Sequence, residues 1–371
     1  MTLPAEHVPF PVAPSFVIRP DMRRWPPGDR GHLRLDARYP SYLSQKLRLL
    51  AADPAGCRVP APDADPGELT AALLRAAERL AEEAPVDGDE RVRPVAVDGR
   101  AVRFPLLGVA VARRDLALSE IALPGRPPPG LPALAARARA HLAALPPPER
   151  LMDALALAVQ EDLVLMRADA PAPEAPSPRG AGAVAPARAG GPGPAGGRDH
   201  AGGPAPAGHA ELLHVCFPSS WDPAARAGAD FAALHAPVPH GEVLRRAAPQ
   251  VVRAMVSKGP FVRYVWSLAA DGRLDRNPRR HRGLRAGAPP RALWFRVERQ
   301  TAMPLVELDR ALFTIRVYTA PLASVLSGEE RRRTLAAAIA SMDEALLAYK
   351  GIGAGREALL AWLRAGGATA S

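Results

Sequence analysis

Hydrophobic and polar positions follow a helical spacing in the first part of this chain. Residues 39–50 are predicted to form one helix. Leu69, Leu73, Ala76 and Leu80 recur at spacings of four, three and four, which predicts a second helix. Residues 149–167 are predicted to form a further helix. The first part of the chain is therefore expected to be mainly helical.

Beyond about residue 210 the apolar positions recur every second residue instead. Four segments are predicted to be strands of an antiparallel sheet: 212–217, 261–268, 293–301 and 311–319. Residues 95–102 predict an earlier hairpin, with Asp98 and Gly99 in left-handed turn positions. Helices are predicted again at 329–349 and 356–364. This order of helices, sheet and helices predicts an α+β fold.

Composition changes sharply between the two patterns. Residues 168–209 are almost entirely Ala, Gly and Pro and contain no aromatic residue, which predicts a disordered insertion. The first 30 residues are Pro-rich and irregular. Four regions are therefore predicted: an irregular segment at 1–30, a helical part at 31–167, the insertion at 168–209, and the sheet with the last helices at 210–365.

The overall composition narrows the class of protein. A hydrophobic fraction of 48% is sufficient for a core. No apolar run approaches eighteen residues, and the first residues lack a signal-peptide pattern, so a soluble cytoplasmic protein without membrane contact is expected. The two cysteines, Cys57 and Cys216, are expected to be thiols, and they are too few to hold an iron–sulfur cluster.

Much of the net charge of +10 comes from one segment, residues 272–291, which we call the arginine loop. It contains seven arginines and one acid, Asp275. A solvated connection between two strands is favoured, and a docking surface for an acidic partner protein is the second interpretation. Nucleic acid is disfavoured because no aromatic residues are interleaved with the arginines.

Polar residues within the predicted strands are the first candidates for function. Leu293, Phe295 and Val297 share one strand face, and Arg299 and Thr301 continue it. Because an uncompensated buried guanidinium is costly, Arg299 must either emerge at the end of the sheet or meet an anion. Glu298 and Arg296 are expected on the opposite face.

The next strand shows the same mixture. Phe313, Ile315 and Val317 form an apolar face, while Thr314, Arg316 and Tyr318 form the other. The polar face is either solvent-exposed or the lining of a polar pocket. Alternation alone favours solvent, because half-exposed antiparallel strands commonly show this pattern.

His235 is the best-placed histidine for binding. Prolines at 237 and 239 are expected to hold it on rigid, extended, non-helical backbone. From the residues alone, an ordinary core or capping histidine is the favoured interpretation.

Taken together, several motifs resemble one family, the haem-dependent oxidative N-demethylase α-subunit-like family. They are Leu213-His-Val-Cys-Phe-Pro-Ser-Ser-Trp-Asp-Pro, Leu234-His-Ala-Pro-Val-Pro, Val262-Arg-Tyr-Val-Trp-Ser, Arg296-Val-Glu-Arg-Gln-Thr, Leu312-Phe-Thr-Ile-Arg-Val-Tyr and Tyr349-Lys-Gly. Upstream, Ala37-Arg-Tyr-Pro-Ser-Tyr-Leu and Val159-Gln-Glu-Asp-Leu fit the same pattern. The resemblance therefore spans most of residues 36–364, apart from the insertion.

The resemblance implies a PAS-like antiparallel sheet with flanking helices that binds haem b. Such enzymes oxidise a small secondary amine of the dimethylamine type with O2, giving formaldehyde and a primary amine. Their electrons come from NADPH through partner subunits that carry FMN and a [2Fe–2S] centre. No G-x-G-x-x-G motif follows a strand in this chain, which agrees with NADPH binding on a partner. The arginine loop would suit the reductase contact.

The resemblance also suggests roles for individual residues. His235 would be the axial metal ligand, with His240 as the second candidate. Arg299 and Arg316 would serve the haem propionates and the catalytic polar groups, in an unassigned order, and Arg263 is a third cofactor-binding candidate. Glu298 would orient an arginine or hold a cationic amine.

Two departures from the family pattern, at Thr301-Ala-Met-Pro-Leu and at Tyr264-Val265, leave the identity of the amine open. Two other functions remain alternatives: a haem-based gas or redox sensor, and a haem-free binding protein.

Overall fold

The computed structural model of the chain describes residues 5–13, 23–24, 31–83, 93–168, 208–281 and 288–366. Its helices are α1 Tyr39–Ala52, α2 Pro66–Glu82, α3 Leu131–Ala143, α4 Pro147–Ala158, α5 Phe231–Leu234, α6 Glu242–Arg246, α7 Ala248–Ser257, α8 Leu322–Val325, α9 Glu329–Ala340, α10 Glu344–Tyr349 and α11 Arg356–Arg364. Its strands are β1 Arg23–Arg24, β2 Arg58–Pro60, β3 Ala96–Val97, β4 Ala101–Phe104, β5 Val109–Ala112, β6 Leu118–Glu120, β7 Asp162–Arg167, β8 His209–His214, β9 Phe261–Ala269, β10 Trp294–Leu305 and β11 Arg310–Pro321. The α+β class is confirmed.

The strands form two antiparallel sheets. The main sheet has the order β1-β9-β10-β11-β7-β8-β2, and the smaller sheet has the order β3-β4-β5-β6. At the centre of the main sheet, β10 and β11 pair over twelve residues each. Strands predicted from the period of two therefore do form one sheet, with bounds shifted by a few residues.

The register of the main sheet shows which side chains share a face. Arg299 lies opposite Arg316, and Thr301 lies opposite Thr314, so these four share one face. Gln300 lies opposite Arg263 on β9, and both belong to the other face, together with Glu298. We call the first the strap face and the second the pocket face.

The strap face is covered by residues 31–38, which we call the strap, and by α1. The strap is fixed by the motif that precedes β7. The backbone N–H of Asp36 donates to Gln160 at 2.8 Å, and the Gln160 amide donates back to the Asp36 carboxylate at 3.1 Å. The Arg34 N–H donates to Glu161 at 2.6 Å. The Val159-Gln-Glu-Asp-Leu motif thus holds the strap across the sheet.

Two predicted helices differ from the structure. Residues 149–167 are not one helix, because α4 ends at Ala158 and β7 begins at Asp162, where it joins β11 and β8. The predicted helix 329–349 is broken after Ala340, and the Asp343 side chain caps α10 by accepting from the Leu346 N–H. Short apolar runs are ambiguous in period, so neither break was visible in the sequence.

The predicted hairpin forms between β3 and β4, but its turn is different. Neither Asp98 nor Gly99 has a positive φ. Instead, the Asp98 carboxylate accepts hydrogen bonds from the N–H groups of Arg100 at 2.8 Å and Ala101 at 2.9 Å. A side-chain-closed turn therefore replaces the expected left-handed one.

The exposed edge of β9 is closed by the Tyr349-Lys-Gly motif. The Leu268 N–H donates to the Lys350 carbonyl at 2.7 Å. Gly351 has a φ of 77°, and a Cβ there would lie 2.3 Å from the Leu268 carbonyl oxygen. Only glycine fits this turn without displacing the edge strand.

Several predictions concern residues outside the described ranges. The insertion at 168–209 is described only at residue 168 and from residue 208 onward, and the first 30 residues only at 5–13 and 23–24. Among the described residues, no helix combines the length and the apolar character that a membrane crossing requires.

Candidate functional site

A small pocket lies on the pocket face, between the sheet and helices α5 and α7. Its volume is about 20 Å³, enough for about one water molecule. Apolar side chains dominate its lining, and His235, Arg263 and Gln300 are the polar members. It therefore joins three polar side chains from separate elements in an apolar surrounding, as ligand sites commonly do.

His235 enters this pocket from the end of a short helix. The Asp230 side chain caps α5 by accepting from the Ala233 N–H at 2.6 Å, and His235 is the C-cap residue. Turns continue after it, because the Val238 N–H donates to the His235 carbonyl at 3.0 Å. The expectation of an extended path is therefore wrong: Pro237 lies within consecutive turns, which its fixed φ also permits.

The tautomer of His235 is set by its own helix. Its Nδ1 lies 2.8 Å from the Phe231 carbonyl oxygen, which can only accept, so Nδ1 carries the proton. Burial and the positive charge of Arg263 together lower the pKa of His235 to about 4, although the hydrogen bond to the Phe231 carbonyl acts in the opposite direction. The ring is thus neutral at pH 7, with Nε2 as an available lone-pair donor. This is the arrangement of a metal-binding histidine whose other nitrogen donates to a carbonyl.

Glu298 stands beside the pocket within a chain of hydrogen bonds. The Ser219 hydroxyl donates to one carboxylate oxygen, and the Gln300 amide donates to the other at 2.7 Å. Ser219 in turn accepts from the buried Arg296 guanidinium at 2.7 Å, which also donates to the Phe217 carbonyl at 2.9 Å. The carboxylate is therefore held in a fixed orientation by residues of its own face.

Two residues of the Tyr349-Lys-Gly motif lie close to the same groups. The charges of Glu298 and Arg263 act in opposite directions on the pKa of the Tyr349 phenol and of the Lys350 ammonium. Burial lowers the pKa of Lys350 to about 8. Its Nζ donates to the Trp266 carbonyl at 2.8 Å and lies 4.9 Å from the Trp266 ring centre. Tyr349 and Lys350 thus lie near enough to Glu298 and Arg263 for both charges to act on them.

His240, the second ligand candidate, is directed elsewhere. Its Nε2 lies 2.5 Å from the Asp343 carboxylate, and more than half of its side chain is exposed. It does not belong to the pocket lining. Its contact instead joins the turn before α6 to the start of α10.

Arg299 and Arg316 lie together, but on the strap face and not with His235. Arg299 donates to the carbonyl oxygens of Gly31 at 2.9 Å and His32 at 3.2 Å. Arg316 donates to the Asp36 carboxylate at 2.7 Å. The sheet separates both guanidinium groups from the pocket. The expectation that they share a cavity with His235 is therefore wrong, because the register turns them to the opposite side.

The environment of Arg316 also corrects a second expectation. The face that alternation favoured as solvent-exposed is buried, and Arg316 itself is 0% exposed. Its guanidinium lies 4.0 Å from the Tyr42 ring centre and 4.8 Å from that of Tyr318. The strap and α1 supply the anion and the aromatic rings that make this burial possible.

Gln300 and Ser219 are the site residues that sequence reasoning did not single out. Gln300 is two positions after Glu298 on the same strand, so the alternation that grouped Arg299 with Thr301 could also have grouped these two. Ser219 comes from a segment 79 residues away, and nothing in the sequence pairs it with Glu298.

The arginine loop is partly neutralised by acids within the described residues. Arg280 donates to Asp275 at 2.8 Å and to Asp53 at 2.9 Å, and Arg279 lies 3.8 Å from Asp222. Arg273 keeps 62% of its side chain exposed. Residues 282–287, which include two of the seven arginines, are outside the described ranges.

The fold and pocket define a class: an α+β protein with a neutral histidine facing the polar side chains of an antiparallel sheet. Residues 203–360 match the family described as haem-dependent oxidative N-demethylase, alpha subunit-like. The match confirms the family resemblance over residues 203–360. It contains β8 to β11 and all of the pocket residues. The match does not extend to the two upstream motifs, whose family assignment stays a prediction.

The side chains of the pocket have the chemistry that haem binding requires, but the pocket is too small to contain haem. A neutral imidazole with a free Nε2 is a common axial ligand of haem iron, and Arg263 is a suitable partner for a propionate. A volume of about 20 Å³ is far too small for a macrocycle. Haem binding at this site would therefore require α5, a helix of four residues that lines the pocket, to move away from the sheet.

Proposed function

We propose that this chain is the haem-binding subunit of an oxidative N-demethylase acting on a small secondary amine of the dimethylamine type. The central strand order β8-β7-β11-β10-β9, with α5 to α7 inserted between β8 and β9, supports a PAS-like sheet. The family match supports haem dependence. Haem b, when bound, would supply the oxidising chemistry with O2, and formaldehyde and the primary amine would be the products.

The observation that carries this proposal is the fixed tautomer of His235. Its Nδ1–H is committed to the Phe231 carbonyl, so the side chain can only accept a proton or bind a metal through Nε2. On the opposite side of the pocket, Arg263 and Gln300 come from neighbouring strands. His235 from the helical side and Arg263 and Gln300 from the strands are the residues that would hold the cofactor.

The remaining pocket residues would then have distinct tasks. Arg263 would pair with a propionate. Glu298, held by Ser219 and Gln300, would bind the ammonium form of the amine through charge-assisted hydrogen bonds. The apolar lining would exclude water. Arg299 and Arg316 would contribute only by holding the strap across the other face.

Electrons would come from partner subunits with FMN and a [2Fe–2S] centre that use NADPH. The exposed Arg273 and the half-exposed Arg279 would lie at the contact, where positive charge speeds encounter with an acidic surface. The buried free thiols of Cys57 and Cys216 fit a reducing compartment such as the cytoplasm.

The test is a visible spectrum of the protein expressed with haem supply, beside His235→Ala and His240→Ala variants. A Soret band is expected in the wild type and in His240→Ala, and its loss or shift is expected in His235→Ala. Formaldehyde release from dimethylamine with a chemical reductant then tests the reaction. Absence of the Soret band from folded wild-type protein would refute the proposal, and haem binding without turnover would favour the sensor.

A further inference from the structure

Gln300 has an unused hydrogen-bond acceptor beside the pocket. Its side chain is among the pocket lining, and the residue is only 8% exposed. Among the described residues, its Oε1 has no hydrogen-bond partner. A buried carbonyl oxygen without a partner is costly, so such an atom at a pocket indicates a bound donor, which is a water molecule when no ligand is present.

The orientation of this amide is dictated by its neighbour. Its nitrogen donates to the Glu298 carboxylate at 2.7 Å, and an ionised carboxylate can only accept. A flipped amide would bring two oxygens together, so Nε2 must face Glu298. The oxygen is consequently the polar end that remains for a ligand.

We propose that Gln300 is a specificity-determining residue that accepts a hydrogen bond from an N–H group of the ligand. The inference rests on the proposed function and deepens it, because it names the group that the pocket recognises. Glu298 would supply the negative charge, and the carboxamide oxygen would select cations that still carry a proton on nitrogen. Gln300 would distinguish ligands by their N–H groups, while the charge of Glu298 acts on all cations alike.

The direction of this bond separates two possible roles. An acceptor oxygen cannot stabilise negative charge, whereas the guanidinium of Arg263 can. Within the pocket, Gln300 is thus suited to orient a protonated amine. Loss of the acceptor is expected to weaken N–H ligands by about tenfold to a hundredfold, the usual effect of one hydrogen bond to a charged group.

The experiment compares dissociation constants for dimethyl-, trimethyl- and tetramethylammonium ions, measured calorimetrically on the protein purified after expression with haem supply, with the Soret band recorded for each sample. These probes share one charge but carry two, one and no N–H groups. The wild type should bind the first two more tightly than the third. Gln300→Met, which has similar length and no acceptor, should reduce this preference at least tenfold. Thr301→Val removes a polar group from the same strand but on the strap face, and should keep the wild-type preference.

The possible outcomes distinguish the role of Gln300 from the haem proposal. Equal binding of the three ions by the wild type would overturn the role of Gln300 even if Gln300→Met does not fold. An unchanged preference in folded Gln300→Met would also overturn it, while the Soret band could still uphold the haem proposal. Conversely, protein without a Soret band that still loses its N–H preference in Gln300→Met would refute the haem function and keep the subsite.

Discussion

Replacing Asp36 by asparagine tests the conclusion that Arg316 belongs to the structure of the strap and not to the cofactor site. The change removes the carboxylate that accepts from Arg316 at 2.7 Å. Arg316 is 0% exposed and Asp36 is 7% exposed, so the guanidinium would remain buried without this counterion. The strap would lose its main electrostatic attachment to β11.

The magnitude follows from the contacts that remain. Removing one partner of a buried ion pair typically costs about 3–5 kcal/mol. The rings of Tyr42 and Tyr318 still face the guanidinium, and each such contact contributes roughly 1 kcal/mol. An asparagine oxygen can also keep the hydrogen bond from the Arg38 N–H. We therefore expect a loss near the lower end of the range, about 3 kcal/mol.

Urea unfolding followed by fluorescence of the five tryptophans measures this loss. A double variant, Asp36→Asn with Arg316→Met, should be more stable than Asp36→Asn alone, because the Arg316 charge is then no longer buried without the Asp36 carboxylate. The Soret absorbance per folded molecule should not change. A loss below about 1 kcal/mol would refute the energetic argument, and a weakened Soret band in folded Asp36→Asn would refute the separation of the two faces.

Three further changes test other parts of the fold. Burial raises the pKa of Asp153, but hydrogen bonds from two histidines and the charge of Arg58 outweigh burial and hold that pKa well below its usual range. The stabilisation that the Asp153 carboxylate contributes is therefore complete above about pH 4 and lost as pH falls. The difference in urea midpoint between wild type and Asp153→Asn should accordingly shrink on acidification. Burial raises the pKa of Glu83 to about 7. The stability that the protonated Glu83 side chain contributes is present below about pH 4.3 and lost as pH rises through 7, so Glu83→Gln should gain stability relative to wild type over that interval. A difference in stability between the two proteins that stays constant over this pH range would contradict the argument. Gly351→Ala should lower the free energy of unfolding by roughly 2 kcal/mol or more, since its Cβ would lie 2.3 Å from a carbonyl oxygen. As a control, Gly355→Ala, whose Cβ would meet nothing within 4 Å, should be nearly neutral in the same urea assay.

Local patterns in the sequence predicted much of the main sheet. Alternation located β9, β10 and β11, and helical spacing located α1, α2 and α11, because each pattern reflects burial along a single element. The break between α4 and β7 escaped prediction, since neither Pro nor Gly marks it and Gln160, Glu161 and Asp162 can all continue a helix. The end of α4 and the start of β7 are fixed by the pairing of β7 with β11, a distant segment that the local sequence does not contain.

The candidate site divides in the same way. The motif around His235 and the family it resembles could be identified from the residues, and the match of residues 203–360 bears that out. The alternation along β10 correctly separated Glu298 from Arg299. What lies over each face could not be identified, because the covering segments are remote: the contact between His32 and Arg299 joins residues 267 positions apart.

By itself, therefore, the sequence determined the α+β class, strands β9, β10 and β11, and the family resemblance of residues 203–360. His235 as the metal ligand stays a prediction. The tertiary structure alone decided that Arg299 and Arg316 support the strap, while Arg263, Glu298 and Gln300 accompany His235. The physical reason is that alternation defines two faces of a strand but not which face meets a ligand. That choice depends on which distant segment brings the carboxylate and the aromatic rings that make a buried arginine stable.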